Sequence, residues 1–279
     1  MTRGGVHGRA SPESRGVSGE HRQSPSARRG LPMVWAYFDE TVVHEKVDGK
    51  LVPTHLLIAG GVSTLDKWKP LEEKWRQALS DEGVSCFHGS EFYHFRREFA
   101  WYTPQGEKDY PRHAAFRDRL ADIIIEHVDE AIAFTSAVSV RDGASAKQVE
   151  KAVYKRALRD GAFKALSALS REVLRPSGGA YVILARHPDV PPWLLLQLFA
   201  DMNWDNSLKG CGVFEPADVV QLQAADYLGN AFNRMSNDLP SKSAERLQEG
   251  FRKRGKQIRL QLGTSAQTPS DFLEGVRPV

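Results

Sequence analysis

The sequence predicts a mixed α/β domain, and the order of its apolar segments is what indicates this. Two runs rich in aromatic and β-branched residues come first, MVWAYFDET (33–41) and THLLIAGGVST (54–64), and both are typical of strands. After them, segments with helical spacing alternate with short apolar runs. Strands that come first and then alternate with helices favour one sheet covered by helices. The composition, 41% hydrophobic and 26% charged, is that of an ordinary globular protein.

The individual elements follow from turn residues and apolar spacing. Asp48 and Gly49 between the first two runs favour a β-hairpin. A helix is predicted over 65–81, because apolar residues recur there every three or four positions and Gly83 follows. The further predicted elements are a strand over 84–88, an irregular loop over 96–112, a helix over 112–127, a strand over 130–140, a helix over 146–174, a strand over 180–186, a helix over 192–202, a strand over 210–216, and helices over 217–235 and 243–254. This order resembles an elaborated ribonuclease-H-like mixed sheet flanked by helices.

The positive charge is concentrated at the start of the sequence. Six arginines and two glutamates give the first thirty residues a net charge of +4, which leaves −1 for the rest of the formal +3. That segment lacks aromatic residues and cannot bury a core. We predict a disordered basic tail over 1–32, a ribonuclease-H-like domain over 33–240 and a polar C-terminal extension on the surface over 241–279. The tail either holds nucleic acid non-specifically or precedes a natural start at Met33, and the second explanation is favoured.

Several classes of protein are disfavoured. The longest apolar runs, such as HLLIAGGV and WLLLQLF, are too short to span a bilayer, and no signal peptide opens the sequence, so a cytoplasmic protein without a membrane partner is expected. Cys86 and Cys211 have no metal-ligand spacing and are expected to be reduced and inert. A GK[ST] phosphate loop, a G-x-S-x-G elbow, HExxH and CxxC are all missing, which disfavours NTPases, serine hydrolases and zinc proteases.

Acidic residues set in apolar sequence are the main functional signal. Asp39, with Glu40 beside it, ends the first strand, and Asp226 lies on the apolar stripe of a helix in QLQAADYLGNAF. A carboxylate in such surroundings needs a compensating charge, so two that meet would form a site for Mg²⁺ or Mn²⁺. Asp39 and Glu40 point to opposite faces of a strand and bind one ion together only if the strand bends. The alternatives are acids that end a strand at the solvent, and a structural ion pair such as Asp226 with Arg234.

Three further residues are candidates for the same site. His88 and Glu91, in FHGSEF, come where a predicted strand ends, and a histidine there could position a phosphate or relay a proton. Glu91 could supply a ligand, and Glu215, just before the Asp226 helix, could supply a third carboxylate. A structural role for the histidine is the competing interpretation.

Four short motifs, in this order, resemble the domain-of-unknown-function family 3800. They are YFDET on the first strand, LLIAGGV on the second, FHGSEF on the predicted third and LQAADYLGNAF near the end, so the likeness covers nearly all of 33–235. The resemblance implies a ribonuclease-H-like fold and an inferred nuclease activity. It implies Asp39 as the first-strand acid and Asp226 as the late-helix acid, with Glu40 and His88 nearby.

The sequence departs from that family at two places. An acid is common in the family at the end of the strand written here as YVILAR, but this chain has Ala185 and Arg186 there, and Asp189 comes only later. The YFDET motif also lacks the usual Ser-Gly. A two-metal site is therefore incomplete unless Asp189, Glu215 or Glu91 replaces the middle acid.

The main hypothesis is a Mg²⁺- or Mn²⁺-dependent nuclease that acts on DNA or RNA. Asp39 and Asp226 would be metal ligands, Glu40 or Glu215 would support them, and His88 would face the phosphate.

The rival hypothesis is a non-catalytic member of the same fold that binds nucleic acid or a protein partner through the 93–112 loop. Aromatic and basic residues of that loop, including Arg96, Arg97, Trp101 and Tyr102, could stack bases and contact phosphates. An ordinary aromatic cover over the core is the plainer interpretation.

Overall fold

A computed structural model gives the fold of the chain. It describes residue 192 and the ranges 33–47, 50–137, 179–186, 208–236 and 241–262. The predicted basic tail, the helix predicted over 146–174, nearly all of the helix predicted over 192–202, and Asp189 lie outside the described residues. Within them, the strands are β1 (Val34–Val47), β2 (Lys50–Thr64), β3 (Glu130–Ala137), β4 (Ala180–Ala185), β5 (Leu208–Phe214) and β6 (Gln257–Leu262). The helices are α1 (Leu65–Glu82), α2 (Gly89–Tyr93), α3 (Tyr110–His127), α4 (Val220–Ser236) and α5 (Lys242–Lys253).

The six described strands form one mixed sheet in the order β5-β4-β1-β2-β3-β6. β2 pairs antiparallel with both β1 and β3, whereas β4 pairs parallel with β1 and β5 pairs parallel with β4. The sheet thus combines a three-stranded antiparallel meander with two parallel strands beside its first strand, and helices flank it. The fold class predicted from the sequence is therefore confirmed. β6 adds a parallel strand beside β3.

Helix α4 lies across β1 and β2 and brings the late part of the chain against the first hairpin. Its inner surface is made of small residues. A Cβ placed on Gly229 would lie 3.2 Å from Thr41 Oγ1 and 3.8 Å from Ala59 Cβ, so the helix backbone approaches the sheet closely. Ala224 and Ala225 are buried on the same helix. This close approach sets the distance between α4 and the end of the apolar part of β1.

Helix α1 follows β2 directly, and two of its tryptophans attach it to the sheet and to α4. Trp68 Nε1 donates a hydrogen bond to the Trp35 carbonyl oxygen at 2.9 Å, and Trp75 Nε1 donates to Gln223 Oε1 on α4 at 3.2 Å. The helix ends at Gly83, which takes the left-handed conformation (φ +69°) that glycine adopts without strain. None of the described helices is both long enough and apolar enough to cross a lipid bilayer.

The segment between α1 and α3 differs from the prediction. The strand predicted over 84–88 is wrong: those residues form bends, and α2 starts at Gly89. The loop predicted over 96–112 contains a short 3-10 turn (Arg97–Phe99), and α3 already begins at Tyr110. The apolar residues of 84–88 are buried by packing among rings instead of by a strand ladder, as the fully buried Phe87 shows.

The loop aromatics form the core beneath α2 instead of an open binding surface. Trp101 is only 7% exposed, and its ring lies 5.7 Å from the Phe99 ring and 5.5 Å from the Phe116 ring. The Arg112 guanidinium covers its outer face at 4.4 Å. Of the two aromatics proposed to stack bases, Tyr102 alone is open to solvent, with 52% of its surface exposed. Trp101 therefore has little free surface for stacking on a base.

The C-terminal segment is part of the domain wherever the structure describes it. Leu247 and Phe251 of α5 are buried, and α5 packs against α3. Lys256 Nζ donates hydrogen bonds to the carbonyl oxygens of Ile125, Glu126 and Val128 at 2.7, 2.9 and 2.7 Å, so it caps the C-terminal end of α3. The prediction of a surface extension fails for 241–260, because Leu247 and Phe251 of α5 are buried and Ile258 and Leu260 of β6 pack against the core.

We expect Trp101→Ala to lower the free energy of unfolding by about 3–5 kcal/mol, since a large buried ring is replaced by a cavity. Tyr102→Ala is the matched control and should change it by less than about 0.5 kcal/mol, because the tyrosine is mostly in water. Urea unfolding of both variants measures this. Equal stability of the two variants would contradict the buried position of Trp101.

Candidate active site

Asp226 is buried on α4 at the point where α2 begins. Its Oδ2 accepts a hydrogen bond from the Gly89 backbone N–H at 2.7 Å, and its Oδ1 accepts one from Asn230 Nδ2 at 2.7 Å. Asn230 lies one helical turn further along α4 and also donates to the Asp226 carbonyl oxygen at 3.0 Å. Both carboxylate oxygens are therefore held in place by neutral donors, and the carboxylate keeps its full negative charge when ionised.

Gly89 is packed too tightly to carry a side chain. A Cβ at this position would lie 2.0 Å from Asn230 Nδ2 and 2.9 Å from Asp226 Oδ1. The preceding backbone is fixed by Gln223, whose Oε1 accepts a hydrogen bond from the Phe87 N–H at 2.8 Å and whose Nε2 donates to the Pro216 carbonyl at 2.9 Å. The FHG segment is thus fastened to α4 at two points, one turn apart.

Asp39 is brought to the same site by the geometry of β1. Alternate residues of a strand share a face, so Asp39 lies on the face of Thr41, which meets Gly229 of α4. Asp226 lies one turn before Gly229. The negative charge of Asp226 contributes to raising the pKa of Asp39, after burial and the charge of Glu40. Asp39 and Asp226 thus lie on elements that pack against each other, β1 and α4.

Burial and neighbouring negative charges raise the pKa of both acids. Burial raises the pKa of Asp226 from 3.8 to about 6, and the hydrogen bond from Gly89 and the nearby His88 only partly oppose this effect. The pKa of Asp39 is raised well above its usual range, by burial first and then by the charges of Glu40 and Asp226. Two adjacent carboxyl groups in this state favour any ligand that brings positive charge.

His88 and Glu91 lie beside Asp226, at the two ends of the first turn of α2. His88 Nδ1 is 3.9 Å from Asp226 Oδ2, and the imidazole is 53% exposed, so it faces solvent at the mouth of the site. Glu91 raises the pKa of Asp226 through its charge, but its own Oε1 is paired with Arg97 Nη1 at 2.9 Å.

The remaining predicted residues lie elsewhere or face away. Glu40 is adjacent to Asp39 in sequence and donates its backbone N–H to Asp39 Oδ1 at 2.9 Å, while its side chain belongs to the opposite face of the strand. Glu215 is paired with Arg186 at 3.3 Å. Arg96 is exposed, and it immediately precedes the 3-10 turn. Within the described part of the chain, no group of three or more His, Cys, Asp or Glu side chains is arranged to hold a metal.

An ion pair does not explain Asp226. Arg234, the partner considered from the sequence, lies over the Tyr93 ring at 4.6 Å. Among the described residues, no lysine or arginine lies within ion-pair distance of either Asp39 or Asp226. Burial and then the charge of Asp226 raise the pKa of the Cys86 thiol to about 11, which disfavours its thiolate.

The donor set fits a hard divalent cation. Mg²⁺ prefers carboxylate oxygens and is commonly held by one or two carboxylates, with waters and substrate phosphates completing its shell. Two carboxyl groups with raised pKa values, without a lysine or arginine within ion-pair distance in the described part of the chain, would suit such an ion. The imidazole of His88 is available at the edge of the site and is not needed as a ligand.

The sequence missed the groups that hold Asp226 in place. A backbone N–H such as that of Gly89 leaves no signature of its own in a sequence. Asn230 and Gln223 were detectable in principle, because they stand four residues after and three residues before Asp226 and so lie close to its face of the helix.

Comparison with protein-family models finds no matching family, and comparison with the curated proteins finds no matching relative. Among solved structures, the chain is similar to ribonuclease H2 from Pyrococcus horikoshii OT3, with 16% sequence identity and a TM-score of 0.34. That similarity covers 80% of this chain and 90% of the other. This similarity concerns the fold alone.

We expect the metal-free protein to lose stability as the pH rises from about 4 to about 6. In this window the folded state keeps the proton of Asp226, whose pKa is about 6, while the unfolded state has released it, so the free energy of unfolding falls. Above that window the contribution of Asp226 is constant. Urea unfolding in a chelator at several pH values measures the slope.

Asp226→Asn should flatten this slope, and Glu73→Gln, an exposed change on α1, should leave it as in the wild type. A slope that Asp226→Asn leaves unchanged would contradict the raised pKa.

Proposed function

We propose that the chain is a divalent-metal-dependent nuclease that hydrolyses phosphodiester bonds of DNA or RNA. The observation that supports this most directly is the pair of adjacent acids, Asp39 and Asp226, held without a cationic side chain among the described residues. Such a pair is electrostatically unfavourable by itself and becomes favourable when a cation binds between the carboxylates.

Asp39 and Asp226 would hold Mg²⁺ or Mn²⁺. Bound there, the ion would lower the pKa of a water molecule and stabilise the charge that develops on a leaving phosphate oxygen. Glu40 and Glu215 are not needed for this role, since a single Mg²⁺ requires only one or two carboxylates and completes its shell with water and substrate oxygens.

The residues around the acids have separate tasks. The Gly89 N–H and Asn230 Nδ2 fix the orientation of the Asp226 carboxylate, so that its geometry is set before any ligand arrives. His88 stands at the open side of the site, where an imidazole can donate a hydrogen bond to a phosphate oxygen or move a proton near neutral pH. The half-buried position of Asp39 leaves the acids reachable from solvent.

The rival function, binding through the 93–112 loop without catalysis, has less support. Phe95, Phe99 and Trp101 are buried and pack on each other or on α3, so they have no free face for bases. Two exposed tyrosines, Tyr102 and Tyr110, stay open in this segment. Burial of the loop rings does not affect the case for catalysis, because the acids lie on β1 and α4.

We expect Asp39→Asn and Asp226→Asn each to reduce metal-dependent cleavage of a labelled oligonucleotide by orders of magnitude. The double variant should be little worse than either single variant, because residues that hold one ion act as a unit. Asp218→Asn, a change just before α4 away from the acids, is the control and should keep full activity. Cleavage is measured with Mg²⁺, with Mn²⁺ and in a chelator.

Metal should also raise the melting temperature of the wild type, since an ion that binds only the folded state contributes about 2.7 kcal/mol at one hundred times its Kd. Asp226→Asn should lose most of this rise while keeping its metal-free stability. A wild type that does not respond to metal, together with a badly destabilised Asp226→Asn, would show that Asp226 is a structural acid and not a ligand.

A further inference from the structure

A recess of about 230 Å³ opens next to the candidate active site, where the end of α2, the start of α3, the end of α4 and the start of α5 meet. Three basic side chains, Arg117, Arg234 and Lys242, line the recess together with aromatic rings that include Tyr93. None of these residues takes part in the site formed by Asp39 and Asp226.

The recess has an excess of positive charge. Arg117 is neutralised by Asp118, with Nε 2.8 Å and Nη2 2.6 Å from Asp118 Oδ1. Arg234 rests on the Tyr93 ring, and neither it nor Lys242 has a carboxylate within ion-pair distance among the described residues. Two cations that have no carboxylate partner among the described residues thus face one cavity, which favours an anion there.

Histidine does not change this balance at neutral pH. His113, which also lines the recess, has its Nε2 3.0 Å from the Phe92 carbonyl oxygen, and burial lowers its pKa. The charge of the recess is therefore set by the arginines and the lysine.

The polar groups of the recess suit phosphate oxygens. Helix α5, twelve residues long, begins at its edge, and its N-terminus adds a partial positive charge. Ser241, the N-cap of this helix, and Ser243 both line the cavity, and the Ser243 hydroxyl lies 2.9 Å from the Tyr93 hydroxyl. An arginine guanidinium supported on a ring is well placed to receive two oxygens of a phosphate.

Helix α4 connects the recess to the acids. Asp226, Asn230 and Arg234 follow at intervals of four residues and so lie along one side of the helix. The eight residues from Asp226 to Arg234 correspond to about 12 Å along the axis at 1.5 Å per residue. This separation is larger than the spacing of adjacent phosphates, so the recess and the acids can contact different phosphates of one strand. The short helix α2 runs between the same two places, from Gly89 to Tyr93.

We propose that this recess, lined by Arg234, Lys242 and Ser241, binds a backbone phosphate of the nucleic-acid strand other than the phosphate held at Asp39 and Asp226. This inference rests on the proposed function and adds a second point of contact that sets the position of the strand. The chemistry that the recess recognises is a phosphate group, which a nucleic-acid strand or a free phosphate ion could supply.

The test is the salt dependence of binding to a short single-stranded oligonucleotide, measured in a chelator so that no cleavage occurs. For single strands the slope of log K against log salt changes by about 0.7 for each phosphate contact that is lost. Arg234→Gln and Lys242→Gln should therefore each make the slope shallower by up to about 0.7. Arg234→Lys should keep most of the slope, because it retains the charge.

The matched control is Arg252→Gln, an exposed arginine near the other end of α5 that should leave the slope unchanged. Lys242 is exposed, so its variant is expected to fold. Slopes that stay at the wild-type value in both Arg234→Gln and Lys242→Gln would overturn the proposal.

A second arm separates the two sources of phosphate. Inorganic phosphate is added to the wild type and to the Arg234→Gln, Lys242→Gln double variant, and the melting temperature is recorded. A phosphate-induced rise that only the double variant loses, with unchanged oligonucleotide slopes, would assign the recess to a free anion and overturn the strand proposal. Reduced slopes support the strand proposal whether or not free phosphate also binds.

The binding slope does not depend on catalysis. A wild type that binds with the expected slope but does not cleave with metal would refute the nuclease activity and leave the phosphate contact standing. Cleavage that requires both acids, combined with unchanged slopes in the recess variants, would support the nuclease activity and refute the phosphate contact.

Discussion

The negative charge of Asp226 has to be accommodated inside the protein, and much of the surrounding structure serves that requirement. An ionised carboxylate loses most of its hydration on burial and is tolerated only with donors or a cation close by. The fold supplies the donors through a backbone N–H of α2 and the Asn230 amide, but it places Asp39 beside them, which adds repulsion. The donors stabilise the Asp226 carboxylate, and the repulsion from Asp39 favours the binding of a cation at this place.

This arrangement depends on the close packing of α4 against the sheet. Gly229 lets the helix backbone approach β1 and β2, and Gly89 lets α2 approach α4, so donors of α2 and α4 lie within hydrogen-bond distance of the Asp226 carboxylate. The aromatic core beneath α2 holds that helix in place: the Phe92 ring stacks on His113 with 3.8 Å between centroids. His113 also lines the basic recess, so the acidic site and the recess are supported by the same aromatic packing.

Much of the fold and the central pair of acids could be predicted from the sequence, because both leave local patterns. The β1–β2 hairpin, α1, α3 and α4 have strong apolar periodicity, and an acid such as Asp226 is conspicuous on an apolar stripe. Other features depend on contacts between distant segments. Residues 84–88 look like a strand, but Phe87 is buried among rings, and the 93–112 aromatics could be assigned to the core only once α3 was in place. Strand β6 had an alternating pattern, with Ile258 and Leu260 on one face, which the surrounding lysines and arginines obscured.

Strand β6 also has a consequence for how the protein folds. It pairs in parallel with β3, joining Glu130 to Gln257, and β4 pairs in parallel with β1, joining Val34 to Ala180. Contacts between residues so far apart in the sequence close large loops and form slowly. During synthesis, the outer edge of β3 stays unpaired, and Lys256 cannot yet cap α3, until most of the chain has emerged from the ribosome. An unpaired strand edge readily joins other chains, so the period before β6 docks is when the nascent protein is most exposed to aggregation and most dependent on chaperones.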